Sequence, residues 1–141
     1  MTDFIYSLLV KIGFTHPLHP AIVHFPIGMA MGALAFTVMV LWLKKAELVP
    51  AAFYSHILGM ITLLPTMLIG YMDWQHFYNG VPNPLIIAKI VLGFVLMALF
   101  SYALFIGRRG RVNNRKFFVV SLLCFIVTIL IGFCGGELQY G

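Results

Sequence analysis

The chain has 141 residues, of which 62% are hydrophobic and only 9% are charged. Soluble domains contain roughly 45–50% apolar and about 25% charged residues, so this composition excludes a soluble globule. The formal net charge of +5 would point to nucleic acid in a soluble protein, but here the basic residues flank apolar runs, where they report membrane orientation. We therefore expect an integral membrane protein in a lipid bilayer, without a nucleic-acid partner.

The first predicted element is a short helix over residues 3–14. Its apolar residues share one helical face, which is typical of a helix that lies in the membrane interface. The segment lacks a basic start and a small-residue cleavage site, so we expect it to be retained and to anchor the chain without spanning the bilayer. The residues of this face are Phe4, Ile5, Leu8, Leu9 and Ile12.

Four apolar runs follow, each near the roughly 20 residues that a hydrocarbon core requires. Alternating strands are absent, so the predicted fold is all-α: a single integral membrane four-helix bundle preceded by the short interfacial helix. The connections are short, which predicts antiparallel neighbours. The predicted spans are about 20–43, 51–72, 85–107 and 117–134.

Basic residues predict the orientation of these spans. Seven of the nine Lys and Arg residues lie in the first and third connections, which four spans place on one side of the membrane. Cytoplasmic loops carry such an excess, so we expect a bacterial inner membrane protein with both termini facing outward. The seven residues are Lys44, Lys45, Arg108, Arg109, Arg111, Arg115 and Lys116.

Four of the five histidines are predicted at the outward end. His16 and His19 each precede a proline in a stiff turn, His24 follows inside the first span, and His76 returns with the second span. Neutral imidazole binds iron, copper and zinc, so these four residues are candidate ligands of a metal ion or of haem iron. The alternative, for His16 or His76 taken singly, is a hydrogen bond to a carbonyl, a lipid phosphate or a carboxylate.

His24 is the favoured ligand, because an ionisable side chain inside a span is costly and by default marks a site. Gly28 and Gly32 lie one and two turns further along. We expect their face either to admit a haem macrocycle or to pack closely against another helix.

His56 lies on the order of 15 Å from His24 along the membrane normal, so one iron cannot bind both. The ammonium of Lys89 is expected to extend toward the outer surface.

Three stretches carry a resemblance to a known family: HPLHPAIVHFPIG at 16–28, GYMDW at 70–74 and GGELQY at 135–140. They resemble the bacterial membrane family called domain of unknown function twenty-two thirty-one. The resemblance covers the whole four-helix region, and the HPxHPxxVHFP pattern is its specific part. It implies a four-span protein whose relatives often occur beside cytochromes and other respiratory components, and hence a haem or redox role.

The chain departs from the family pattern at two places. Relatives often have a histidine and an asparagine early in the third span, where this chain has Lys89 and Gly93, and many end in Tyr-x-His-Gly. The histidines shared with the family are therefore His16, His19 and His24.

Three functions follow as expectations. The first is a haem b-binding electron-transfer subunit of a larger redox complex, its site at the outward face, with His24 and one of the other outer histidines as axial ligands. The second is a cofactor-free accessory or assembly subunit that anchors a respiratory or photosynthetic complex. The third, disfavoured because the membrane interior holds few polar side chains, is a metal-ion or proton pathway. No nucleophile, acid and base are assembled, so we do not expect an enzyme. Expected partners are other membrane or periplasmic redox subunits, with a second copy of the chain as an alternative.

Overall fold

The computed structural model describes residues 2–13, 15–108 and 113–140. Within these residues the chain is helical and contains no strand. Four helices are long and apolar enough to cross a membrane, which confirms the predicted all-α membrane bundle. Phe14, at the end of the predicted interfacial segment, and the basic loop residues Arg109 and Arg111 lie outside the described residues.

The elements follow one another in a simple order. The described helices are α1 (Thr2–Lys11), α2 (His19–Ile22), α3 (His24–Trp42), α4 (Val49–Phe77), α5 (Pro84–Gly107) and α6 (Asn114–Tyr140). A 3₁₀ turn at Ala46–Leu48 connects α3 to α4. The four segments that could span a membrane are His19–Trp42, Ala46–Phe77, Pro84–Gly107 and Asn114–Leu138.

The four long helices run alternately in opposite directions around a closed ring. α3 packs against α4 and α6, and α5 packs against the same two helices. This is the arrangement that short connections favour, because each helix returns beside its predecessor. We call the end of the bundle where α2 begins and α4 finishes the Asp73 end, and the opposite end the Arg115 end.

Local sequence explains where several helices start. Pro26 lies in the first turn of α3, where its missing N–H has no helical partner to lose, and Val23 separates α2 from α3. Asn83 caps α5, since its side-chain oxygen accepts a hydrogen bond from the N–H of Leu85 at 2.8 Å. Pro84 then occupies the first helical position.

The half of the bundle toward the Arg115 end is filled by an aromatic layer. Phe100 and Phe117 are fully buried, and the Phe100 ring lies over Gly59, where a Cβ would come within 2.6 Å of the ring. His56 is also fully buried in this layer, with its ring edge-to-face to both phenylalanines. Its Nε2 lies 3.0 Å from Oγ of Ser121. His56 is thus enclosed by the core, away from the outer histidines.

The short helix α1 packs against the end of α4. Tyr6 is 3% exposed, its hydroxyl donates a hydrogen bond to Asp73, and its ring stacks on His76 with 4.2 Å between ring centroids. Burial and the bond to Asp73 raise the pKa of Tyr6 above its ordinary value. Phe4 and Leu8 stay exposed. One side of α1 therefore binds the bundle while its apolar side chains remain available to a membrane surface.

Candidate functional site

The half of the bundle toward the Asp73 end contains a cavity of about 920 Å³. Cofactor and ligand pockets usually measure roughly 300–1,000 Å³ and are mostly apolar with a few polar groups. All four long helices contribute to this cavity, and its wall is largely apolar. The polar and charged side chains that line it include His19, His24, Thr66, Asp73, Lys89 and Thr128.

The cavity reaches about the middle of the bundle and ends there. Leu63 and Leu96 are its deep, buried lining residues on α4 and α5. One helical turn further along each helix lie Gly59 and Phe100, where the aromatic layer begins. The hollow is therefore confined to one half of the bundle.

His19 is held by one ring nitrogen while the other has no partner. Its Nδ1 lies 3.0 Å from the carbonyl oxygen of Thr66. A carbonyl only accepts hydrogen bonds, so Nδ1 carries the proton and Nε2 of the neutral ring does not. Nε2 is buried and has no hydrogen-bond partner within the described part of the chain. Histidines that bind metals are usually held in this way, with one N–H donated to a carbonyl or carboxylate and the other nitrogen on the metal.

Gly70 makes room for this imidazole. A Cβ at position 70 would lie 2.7 Å from Nδ1 and 3.0 Å from Cε1 of His19. The missing side chain lets the ring lie against α4 and reach the carbonyl of Thr66 one turn earlier in that helix. In the sequence, Gly70 is only one residue of the GYMDW stretch, and the pattern does not indicate this role.

Asp73, three residues after Gly70 on α4, holds the backbone around His19. Its Oδ2 accepts a hydrogen bond from the N–H of His19 at 2.8 Å, and its Oδ1 accepts from the N–H of Leu18 at 3.3 Å and from the hydroxyl of Tyr6. The two N–H groups lie at the start of α2, where they have no helical acceptor. One carboxylate, 5% exposed, thus joins α1, α2 and α4.

The other three predicted histidines are dispersed around this end. His24 is exposed and lies at the edge of the cavity, whereas His16 is exposed and does not line it. His76 stacks on Tyr6, also outside the cavity lining. Across residues 2–13, 15–108 and 113–140, no three His, Cys, Asp or Glu side chains are grouped so that they could hold a metal ion. The structure therefore brings His19 and His24 to the cavity and leaves His16 and His76 apart from it.

Gly28 and Gly32 do not line the cavity either. A Cβ on Gly28 would meet no atom within 4 Å, and a Cβ on Gly32 would lie 3.7 Å from Oγ of Ser55 on α4. This face was expected either to admit a haem macrocycle or to pack against another helix. Gly32 packs closely against α4, and neither glycine lines the cavity. The glycines that do line the cavity are Gly70, Gly93, Gly132, Gly135 and Gly136.

Lys89 extends from α5 toward the neighbouring helix α6. Its Nζ lies 3.6 Å from the position that a Cβ on Gly135 of α6 would take. Lys89 is one of the residues that line the cavity, and the expected extension of its ammonium toward the outer surface stays a prediction.

The comparisons with known proteins agree with this architecture. The sequence matches a family model described as a predicted membrane protein, DUF2231, over residues 15–141. No curated protein and no solved structure matches the sequence. The matched region includes α2 to α6 and hence the cavity and every residue that lines it. The chain belongs to the DUF2231 family of predicted membrane proteins.

Proposed function

We propose that this protein is a membrane-embedded, haem b-binding electron-transfer subunit in which His19 is an axial ligand of the iron. The main support is the buried, unpartnered Nε2 of His19 at the wall of a cavity of about 920 Å³. Leaving a buried polar atom unpaired is costly, so such an atom in a roomy cavity calls for a ligand. A single histidine is a common proximal ligand of haem iron.

The remaining lining also fits haem chemistry. The apolar wall suits a porphyrin ring, and the lining residues include Met67 and Met97, whose side chains contain thioether sulfur. Methionine and histidine are both used as axial ligands in cytochromes. Met67, Met97 and His24 are therefore the residues that could hold the iron together with His19, and bound haem would supply one-electron redox chemistry.

The contribution of the chain itself is orientation and exclusion of water. The carbonyl of Thr66 sets the tautomer of His19, Gly70 allows the ring to approach α4, and Asp73 fixes the backbone that carries it. Such partners around a ligand adjust its direction and basicity. The aromatic layer lies between the cavity and the Arg115 end, and it keeps water and polar groups at that end from reaching the cavity.

The basic loops decide the orientation in this proposal. The Arg115 end faces the cytoplasm of a bacterial inner membrane, because the excess of Lys and Arg lies in the connections at that end. The cavity then lies near the outer surface, where membrane or periplasmic redox subunits can exchange electrons with it. The subunit carries electrons and does not itself catalyse a reaction on a substrate.

A visible absorption spectrum of the purified protein tests the proposal. After expression with an adequate haem supply, we expect a Soret band and reducible α and β bands. His19→Ala should abolish or shift these bands, whereas His16→Ala, which alters an exposed histidine outside the cavity, should leave them unchanged. A folded wild-type protein that neither contains haem nor binds added haem would contradict the proposal and favour the cofactor-free accessory subunit.

A further inference from the structure

We infer that the cavity takes an amphipathic ligand with a carboxylate and that Lys89 binds this carboxylate. The inference rests on the proposed function where the ligand is haem b, whose two propionate groups are carboxylates. The charges of the side chains that line the cavity support the inference independently of haem, because they are the same whichever ligand binds.

Among the residues that the structure describes, no carboxylate lies within ion-pair distance of the Lys89 ammonium. Lys89 is half-buried, lines the cavity and makes no hydrogen bond or ion pair with any residue that the structure describes. A positive charge inside a membrane span is costly unless it is paired or reaches water. Its Nζ lies beside Gly135 on the neighbouring helix α6, so the charge sits between two helices of the bundle.

Asp73 is the one carboxylate in the described cavity lining, and its oxygens are already occupied. They accept hydrogen bonds from Tyr6, Leu18 and His19, and Asp73 lies beyond ion-pair distance from Lys89. Glu137 on α6 is exposed and does not line the cavity. Among its described lining residues, the cavity therefore offers an incoming ligand one uncommitted positive group and no uncommitted negative group.

This arrangement selects among ligand classes. A cationic ligand would be repelled, and a neutral apolar ligand would leave the ammonium unpaired. A carboxylate forms a charge-assisted hydrogen bond with an ammonium, which is shorter and stronger than a bond between neutral groups. Gly135 presents no side chain beside Nζ, so a carboxylate has space to approach it. The rest of the ligand must be apolar to match the wall.

Affinities for haem b and for its dimethyl ester, in which both carboxylates are blocked, test the inference. For the wild type we expect esterification to weaken binding on the order of tenfold to a hundredfold, as a charge-assisted hydrogen bond implies. In Lys89→Met the two forms should bind equally well, and Lys89→Arg, which keeps the charge, should restore the preference. Lys116→Met, which removes a lysine at the Arg115 end, should behave as the wild type. Equal binding of both forms by the wild type, or a preference retained in Lys89→Met, overturns the inference while leaving the haem proposal intact.

A probe without iron separates this inference from the haem proposal. If haem does not bind, thermal unfolding is measured with palmitate and with its methyl ester. Stabilisation of the wild type by palmitate but not by the ester, absent in Lys89→Met, supports the carboxylate site although the haem proposal fails. Equal effects of both probes, or none, overturn the carboxylate site as well.

Discussion

Replacing Gly70 by alanine tests whether the close approach of α4 to His19 builds the site. An alanine adds one methyl group and is a good helix former, so the helix itself should tolerate the change. The atoms nearest to the new Cβ would be those of the His19 imidazole. The substitution therefore acts on the ring that the haem proposal depends on.

The size of the effect follows from the distances. The added Cβ would lie 2.7 Å from Nδ1 of His19, and since non-bonded heavy atoms pack best at roughly 3.5–4.0 Å, the ring must retreat by about 0.8 Å. Such a retreat stretches the 3.0 Å contact with the carbonyl of Thr66 beyond useful hydrogen-bond length. Overpacking and loss of a buried hydrogen bond together should lower the free energy of unfolding by about 2–3 kcal/mol.

Two measurements on the same preparation check this prediction. Absorbance titration should show weaker haem binding, because the imidazole is displaced and its tautomer is no longer set, and thermal unfolding should begin at a lower temperature. Gly28→Ala is the matched control, since its Cβ would meet no atom within 4 Å. Haem binding should stay at the wild-type value, and the unfolding temperature should not fall, because alanine is the better helix former. If Gly70→Ala also behaved as the wild type, the placement of His19 against α4 would be refuted.

Three further predictions concern other parts of the molecule. His56→Ala should lower the free energy of unfolding by roughly 2–4 kcal/mol because it opens a void in the aromatic layer, yet leave the haem spectrum intact; a lost spectrum would contradict the separation of the two halves. Tyr6→Phe removes one of three donors to Asp73 and should cost about 0.5–1.5 kcal/mol and speed proteolytic release of α1; an unchanged cleavage rate would argue against this link. Reporter fusions after Lys45 should read as cytoplasmic and fusions after Asn79 as external, and the inverse pattern would reverse the proposed orientation.

The bundle was predictable because its signals are local. Apolar runs of about 20 residues define spans by themselves, and short connections determine which helices are neighbours. The far end of α4 was harder to predict, since the helix continues past residue 72 to Phe77. The polar residues in this stretch are typical of a loop in sequence. In the structure Asp73 and His76 both contact Tyr6 of α1. Tyr6 is 67 residues from Asp73 in the chain, so no local pattern indicates this contact.

Two histidines line the cavity, and which of them has a buried, unpartnered ring nitrogen was not predictable in the same way. Depth along the chain favoured His24, whereas the choice between His19 and His24 depends on where α4 leaves a recess. That recess is made by Gly70 and by the carbonyl of Thr66, which is 47 residues from His19. The one-turn spacing of Gly70 and Asp73 places them on one face of α4, but the sequence alone does not show that His19 packs against this face.

The confinement of the cavity to one half of the bundle also limits how a transmembrane voltage can act on its occupant. Lys89 is five residues from the start of α5 at Pro84, which corresponds to about 7.5 Å of helix, or roughly a quarter of a ~30 Å hydrocarbon core. A unit charge crossing the whole core at 100 mV changes in energy by about 2.3 kcal/mol, so a charge brought to the depth of Lys89 changes by only about 0.6 kcal/mol. Occupancy should therefore respond weakly to energisation of the membrane, unlike that of a site at the bilayer midplane.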